Sequence, residues 1–340
     1  MCLHVSEFLP HSTRSFEEAS GDSVVLKSLV TEVPKVLDAA RAPSTALLYR
    51  NAYQRWLAWT REHYIKVSLP VSSHVIILYL IYLSKSATSF STINLAVSAI
   101  AWGHSLAGFI SPTRDVLVSE CLAGSKFQLA KAKVPKEPFT LAHIHKFQSI
   151  MVEGSLTDLR DTCFLVLCFH GFFRFEEAAN LKVQDVVYHE SHMQIFVRKA
   201  KNDQLREGNS VCIAKLKGVF CPVVLLRRYM SRAHIKTLSD SYLFKRVIIQ
   251  RQGKALHEKN VPITYSAMRS MVQRKAKQIG LDASRFGTHS MRSGGSSAAA
   301  NSGVSDRVFQ RHGRWASVSA KDGYIKDDLK TKLSVTFALQ

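Results

Sequence analysis

Apolar residues in the first third of the chain recur at spacings of three and four, a pattern typical of amphipathic helices. Between Ser44 and His63, Trp56 and Trp59 lie on one such face, and a serine directly after a proline predicts the N-cap at Ser44. We expect both indoles to pack in a core. Further helices are predicted over 73–84, 92–106 and 114–131. Residues 26–131 are therefore expected to form a helical unit, with a loose tail over 1–25.

A charged stretch from Lys131 to Pro138 carries two prolines three residues apart. Proline fixes its own φ and keeps the preceding residue out of the helical region, so helices rarely continue through such a stretch. We predict a linker over 132–138 and a second domain over 139–340, of which 325–340 would be a C-terminal tail.

The second domain mixes helical and strand patterns. The run from Cys163 to Phe169 is apolar all round, which indicates a buried helix over 159–171. Other helices are predicted over 140–151, 176–181, 222–233, 265–279 and 293–302. Two β-prone segments, 193–198 and 211–213, are expected to pair through a polar hairpin connection. The predicted fold class is mainly α with a small antiparallel β-sheet.

The charge of the chain points to a polyanionic partner. Among 340 residues, 46 are Lys or Arg and 26 are Asp or Glu, which gives a formal net charge of +20. Nucleic acid is the usual partner of such a protein, although a merely basic protein has the same balance. Arg50 and Arg55 on the first long helix, with Lys131 and Lys133 beside the linker, are the residues expected to contact DNA phosphates.

Several other classes of protein are disfavoured. The six cysteines are scattered and form no Cys-x-x-Cys pair, which argues against a zinc ribbon or a disulfide framework. The chain has no apolar run of membrane-spanning length and no apolar signal-peptide core near residue 1, so we expect an intracellular protein that is not bound to a membrane.

Six residues carry the groups that metal-free cleavage of a phosphodiester requires. Two arginines could hold the phosphate, a histidine and a lysine could move protons, and a tyrosine could attack. In chain order these are Arg174, Lys201, His289, Arg292, Trp315 and Tyr324. Taken singly, each also fits an ordinary structural role: a salt bridge of Arg174 with Glu176 or Glu177, a solvated lysine, a helix-end cluster, or aromatic packing. It is their joint order that is specific.

This order resembles the tyrosine recombinase, or phage integrase, family over about residues 40–330. The matching segments are 171–181 around Arg174, 288–295 around His289 and Arg292, and 311–325 around Trp315 and Tyr324. The amino-acid sequences of these segments are closest to those of recombinases from eukaryotic DIRS- and Ngaro-type mobile elements. The resemblance implies an N-terminal SAM-like helical core-binding domain and a tyrosine-recombinase catalytic domain, which together form a C-shaped clamp on DNA.

The resemblance also implies a role for each residue. Tyr324 would attack the scissile phosphate and form a 3′-phosphotyrosyl bond. Arg174 and Arg292 would stabilise the transition state, His289 would act as acid or base, and Lys201 would protonate the leaving 5′-oxygen. The family requires no metal, cofactor or ATP, so none is expected here.

Three assignments have rivals or a supporting role. Glu177 would orient an arginine or a histidine. Many family members have histidine where this chain has Trp315, whose indole N–H can donate a hydrogen bond but cannot shuttle a proton. His312 is therefore a rival for that position, and Lys199 is a rival for Lys201.

The expected partner is double-stranded DNA, with no small-molecule substrate. Strand exchange in the family requires a homotetramer on two duplexes, formed from monomers or dimers, and the apolar tail would pack on a neighbouring subunit or on its own domain. A nuclear location and a mobile-element origin follow from the eukaryotic wording of the match. The rival functions are a type IB topoisomerase-like enzyme and a domesticated DNA-binding protein without catalysis.

Overall fold

The computed structural model describes residues 16–131, 134–150, 154–198, 209–250 and 253–339. The chain divides into two units, Met1–Lys133 and Val134–Gln340. The division falls within the stretch 132–138. Among the described residues, no helix combines the length and the apolar character needed to cross a membrane.

The first unit is helical. Trp56 is fully buried and Trp59 is nearly so, and both pack with Tyr79 and Ile100 in the core of the unit. Its elements are α1 (Val24–Ala39), α2 (Pro43–Glu62), α3 (Ser73–Ser86), α4 (Phe90–Leu106), a short 3-10 helix (Pro112–Arg114) and α5 (Val116–Gln128).

The start of the first unit differs from the sequence prediction. Residues 16–20 are helical and α1 begins at Val24, so the tail predicted over 1–25 was too long. The hydroxyl of Ser23 accepts a hydrogen bond from the backbone N–H of Leu26, which satisfies one of the free donors at the start of α1.

Two helix ends in the first unit were also placed wrongly. Ser44 is not the N-cap of α2, because the helix already begins at Pro43 with no side-chain cap; a proline in the first turn lacks the donor that a cap would satisfy. The helix predicted over 114–131 is shorter, because Asp115 caps it by accepting a hydrogen bond from the N–H of Leu117 at 2.8 Å.

The second unit combines nine α-helices and two 3-10 helices (Val183–Asp185 and Ala283–Arg285) with two small antiparallel sheets in its described residues. The helices are α6 (Leu141–Ile150), α7 (Leu156–His170), α8 (Phe175–Ala179), α9 (Pro222–Arg232), α10 (Tyr265–Gln278), α11 (Ser290–Asn301), α12 (Asp306–Gly313), α13 (Val318–Asp322) and α14 (Leu329–Phe337). The strands are β1 (Val186–Tyr188), β2 (His192–Val197), β3 (Asn209–Ala214), β4 (Val247–Gln250) and β5 (Gly253–Leu256). The predicted fold class, mainly α with a small antiparallel sheet, is confirmed.

Strands β2 and β3 pair in antiparallel register, with Val197 opposite Asn209. Residues 198–208 therefore connect the two strands. Lys201 and its rival Lys199 fall in this connection, within 199–208, and lie outside the described residues; so does Lys133. Strands β1, β4 and β5, which span three or four residues each, were not predicted.

Helix α7 is the centre of the second core, and every residue from Cys163 to Phe169 is buried. Helix α11 packs against it unusually closely. A Cβ on Gly295 would lie 1.9 Å from the carbonyl oxygen of Phe169, and one on Gly294 would lie 2.0 Å from that of Phe139. Larger residues would push α11 outward, so Gly295 lets α11 lie against the end of α7 and Gly294 lets it lie against Phe139, just before α6.

Candidate active site

Arg174 lies at the start of α8, where the chain has just left α7 through the turn 171–173. Its guanidinium Nη1 donates to Glu177 Oε1 at 2.7 Å, and its backbone N–H donates to Glu177 Oε2 at 2.9 Å. The pairing with Glu177 that the sequence offered as a structural alternative is therefore present. It also fixes the direction in which the guanidinium points.

Arg292 is fully buried in the first turn of α11. Its Nη1 donates to the carbonyl oxygen of Phe172, and its Nη2 donates to that of Gly313 at 2.6 Å. The same Nη1 lies 3.6 Å from Glu177 Oε2. This guanidinium thus joins the turn after α7 to the end of α12.

Arg314 adds a third guanidinium that the sequence analysis did not single out. Its Nη2 donates to Glu177 Oε2 at 2.8 Å, and its side chain is 3% exposed. In the sequence it stands in the polar run before Trp315, where an arginine ordinarily reads as a surface residue. Only the backbone path at the end of α12 turns it inward.

The three guanidinium groups and the one carboxylate leave this buried cluster with an excess of positive charge. Burial alone would raise the pKa of Glu177, but Arg314, the Arg174 amide and Arg292 together hold that pKa below its ordinary value. Burial lowers the pKa of Arg292 and of Arg314, and the neighbouring Arg174 lowers both further. Such a cluster favours an added anion such as a phosphate.

Tyr324 lies directly beside the cluster. The Cζ atom of Arg292 is 5.0 Å from the centroid of the Tyr324 ring and 4.6 Å from that of Trp315. The Tyr324 ring is 5.8 Å from Trp315 and 6.0 Å from His289, measured between ring centroids. Together with Arg174, the structure thus brings five of the six predicted catalytic residues into one site.

The backbone around Tyr324 is tied to α11. The hydroxyl of Ser293 donates to the Tyr324 carbonyl oxygen at 2.6 Å, and the Lys326 N–H donates to Ser297 Oγ at 2.8 Å. His289 immediately precedes α11 and its side chain is exposed. Helix α11 therefore carries Arg292, begins directly after His289 and anchors the backbone of Tyr324.

Trp315, and not its rival His312, faces Arg292 and Tyr324. Its indole stacks on Phe309 at 5.1 Å between centroids, and its nitrogen is buried without a hydrogen-bond partner among the described residues. Nε2 of His312 donates instead to the carbonyl oxygen of His170 at 2.7 Å. In this arrangement Trp315 contributes packing.

The candidate DNA contacts of the first unit lie on or beyond its long helix. Arg55 on α2 and Lys131 after α5 are exposed, while Arg50 on α2 is half-buried.

Among the described residues, no group of three or more His, Cys, Asp or Glu side chains is arranged to hold a metal ion.

Comparison with known proteins identifies relatives of this chain. The phage integrase family matches residues 141–330. An integrase/recombinase XerD homologue of Selenomonas ruminantium is 24% identical over 294 residues, which cover 85% of this chain and 83% of the relative.

Three solved structures share the fold. XerH site-specific recombinase bound to its palindromic difH substrate has a TM-score of 0.61 and 15% identity, over 98% of this chain and 94% of that one. Tn1549 transposon integrase in complex with transposon right end DNA has a TM-score of 0.57 and 14% identity, over 99% of each chain. A lambda integrase dimer bound to a core site has a TM-score of 0.52 and 14% identity, over 94% and 96%.

The buried charges predict a specific dependence of stability on Glu177. Glu177→Gln keeps the shape of the side chain but leaves three guanidinium groups without their anion, which we expect to cost about 3–5 kcal/mol in the free energy of unfolding. Urea denaturation, with hydrogen exchange at α11 amides to report on the second unit, measures this. The exposed neighbour Glu176 supplies the control, because Glu176→Gln should stay within about 0.5 kcal/mol of wild type.

The difference in unfolding free energy between wild type and Glu177→Gln should also depend on pH. The folded-state pKa of Glu177 is lowered, so its contribution to stability is present above the unfolded pKa and is lost as the pH falls through the folded pKa. The difference between wild type and Glu177→Gln should therefore shrink in acid. Equal unfolding free energies at pH 7 would contradict the electrostatic description of the cluster.

Proposed function

Because the chain belongs to the phage integrase family, which matches more than half of it, we propose that it is a tyrosine recombinase that cleaves and rejoins DNA strands. The resemblance seen in the sequence is thereby confirmed at the level of the family. The observation that carries the proposal is the convergence of Arg174, Arg292, His289 and Tyr324 at one site, where the Tyr324 ring lies 5.0 Å from the Arg292 guanidinium carbon and 6.0 Å from the His289 ring.

The proposed step is an in-line displacement at phosphorus. The Tyr324 hydroxyl oxygen forms a bond to the scissile phosphorus and the bond to the 5′-oxygen breaks, which leaves a 3′-phosphotyrosyl link and a 5′-hydroxyl. Arg174 and Arg292 donate to the non-bridging oxygens, whose negative charge grows in the transition state.

Protons move through two further residues in this proposal. His289 lies beside the Tyr324 ring at the exposed start of α11, where it can take the phenolic proton or contact the phosphate. We propose that Lys201 donates a proton to the leaving 5′-oxygen. Lys199 is the alternative residue for this role. Glu177 orients Arg174 and Arg292, and Trp315 packs against Arg292 and Tyr324.

Rejoining runs the same step in reverse. A 5′-hydroxyl from the same or another duplex attacks the phosphotyrosyl bond and releases Tyr324. Since the covalent link keeps the energy of the broken phosphodiester, no ATP is needed. We propose that no metal ion or organic cofactor takes part.

A suicide-substrate assay tests the proposed reaction. The protein is incubated in EDTA with duplexes nicked beside candidate sites from the ends of its parent element, and SDS-resistant protein–DNA adducts are measured. We expect an adduct from the wild type and none from Tyr324→Phe, because only the phenolic oxygen can form the bond. Tyr64→Phe is the matched control, since Tyr64 is 97% exposed and lies in the first unit.

The rival functions give different results in this assay. Tight DNA binding without an adduct, on these sites and on a random duplex library, would support a domesticated DNA-binding protein. Relaxation of a supercoiled plasmid that lacks any target site would support a type IB topoisomerase-like enzyme. An adduct that persists in Tyr324→Phe would overturn the assignment of the nucleophile.

We further propose that four copies assemble on two DNA duplexes through the C-terminal tail. Helix α14 and the residues after it expose large apolar side chains, namely Leu329, Val335, Phe337 and Leu339. A second copy of the chain would cover these side chains, because burying a large exposed apolar patch against a partner is favourable.

Deletion of residues 329–340 tests the assembly. We expect tetramers on DNA to weaken strongly while the binding of one protomer to a half-site changes little, because none of these residues belongs to the arginine cluster. Analytical sedimentation with DNA measures the first quantity and a half-site titration the second. Unchanged tetramers would contradict the proposed role of the tail.

The proposed compartment and origin of the protein are based on the amino-acid sequences of its motifs. We propose that the protein is a nuclear recombinase of a mobile element. Its net positive charge and its proposed reaction on DNA are consistent with this role. A fluorescent fusion that stays outside the nucleus would contradict the location.

A further inference from the structure

Arg314 has a backbone conformation that arginine rarely adopts. It ends α12 with φ 57° and ψ 42°, in the left-handed region where glycine is the usual residue. A residue with a Cβ is strained in such a conformation, and this strain persists only where the surroundings impose it. A glycine would avoid that strain, so the side chain itself must account for the arginine.

The guanidinium of Arg314 is buried and binds four acceptors. Nη1 donates to the carbonyl oxygens of Gly171 at 3.1 Å and His312 at 2.8 Å. Nη2 donates to the carbonyl oxygen of Phe172 at 3.1 Å and to Glu177 Oε2 at 2.8 Å. These four bonds use every hydrogen of the two Nη atoms of Arg314, whereas the Nη atoms of Arg292 donate to only two acceptors and keep hydrogens for a phosphate.

A second strained residue lies at the other end of these bonds. Phe172 has φ 47°, which is an outlier for a bulky side chain. Its carbonyl oxygen accepts hydrogen bonds from both Arg292 and Arg314. Two non-glycine residues in the left-handed region therefore meet at one carbonyl group, in the turn that delivers Arg174 to the site.

We propose that Arg314 is a positioning residue for strand cleavage, an inference that rests on the proposed function. It holds the Glu177 carboxylate and the Phe172 carbonyl, and through them it sets the positions of Arg174 and Arg292. Because Trp315 follows directly in the chain, it also places the indole beside Tyr324. Lysine could not replace it fully, since a guanidinium presents a rigid fork and an ammonium a single point of donation.

Two substitutions separate the side chain from the backbone. Arg314→Gly removes the guanidinium and relieves the left-handed strain, whereas Arg314→Lys keeps the charge without the fork. Arg311→Ala is the control, because Arg311 is exposed on the same helix and its loss removes the same charge. Single-turnover adduct formation on a nicked duplex and the dissociation constant for that duplex are measured for each protein.

Arg314→Gly should slow adduct formation about 100-fold, the usual effect of displacing catalytic groups by about an ångström. Arg314→Lys should fall between it and wild type, and Arg311→Ala should stay within a few-fold. DNA affinity should change little in either Arg314 variant, whereas loss of folded protein would reduce rate and affinity together. If Arg314→Gly does not fold, Arg314→Lys decides: slower cleavage at unchanged affinity supports the inference, and wild-type cleavage overturns it.

The pH profile provides a readout that a purely structural role would not change. Glu177 faces the guanidiniums of Arg174, Arg292 and Arg314 and the buried thiol of Cys168. Without Arg314 the pKa of Glu177 rises, so cleavage by the Arg314→Gly variant should be lost at a higher pH than cleavage by wild type as the solution is acidified. A uniform reduction across pH would overturn the positioning role.

The two proposals fail in different ways. Absence of an adduct from the wild-type protein would refute the proposed function itself. An adduct from wild type, with Arg314→Gly cleaving at the same rate, would refute only the role of Arg314.

Discussion

The buried carboxylate of Glu177 is the interaction on which the rest of the site depends. Three guanidinium groups, from Arg174, Arg292 and Arg314, lie within 4 Å of its oxygens. Without that anion, the positive charges would repel one another in a region from which water is largely excluded. With it, they are held in fixed directions and still carry an excess of positive charge. That is the arrangement in which preorganised donors stabilise a phosphate transition state most effectively.

The packing of α11 on α7 determines which side chains meet there. Gly295 allows α11 and α7 to approach at backbone distance, Gly294 does the same toward Phe139, and Arg292 lies two residues before Gly294 on the same helix. The hydroxyl of Ser293 then fixes the backbone of Tyr324. The small residues of α11 are thus explained by geometry, because they let Tyr324 and Arg292 share one rigid support.

Much of this could be predicted from sequence because its signals are local. Helical periodicity, the apolar run of α7 and the order of the motifs each depend on neighbouring residues, and they indicated the fold class and the residues that converge. Arg314 could not be predicted in this way, because its burial depends on a left-handed turn and on acceptors more than 130 positions earlier. The end of the N-terminal tail and the cap of α2 were placed wrongly for a related reason: helix ends depend on single hydrogen bonds, which periodicity does not report.

The central claim is that Glu177 acts on catalysis through the arginines it holds. A double-mutant cycle on the rate of phosphotyrosyl adduct formation, with Glu177→Gln and Arg174→Lys made singly and together, tests this at a temperature where all four proteins are folded. We expect strong coupling, so that the double variant is about as slow as the slower single variant. If the two effects multiply instead, the carboxylate and the guanidinium act independently, and the account is contradicted.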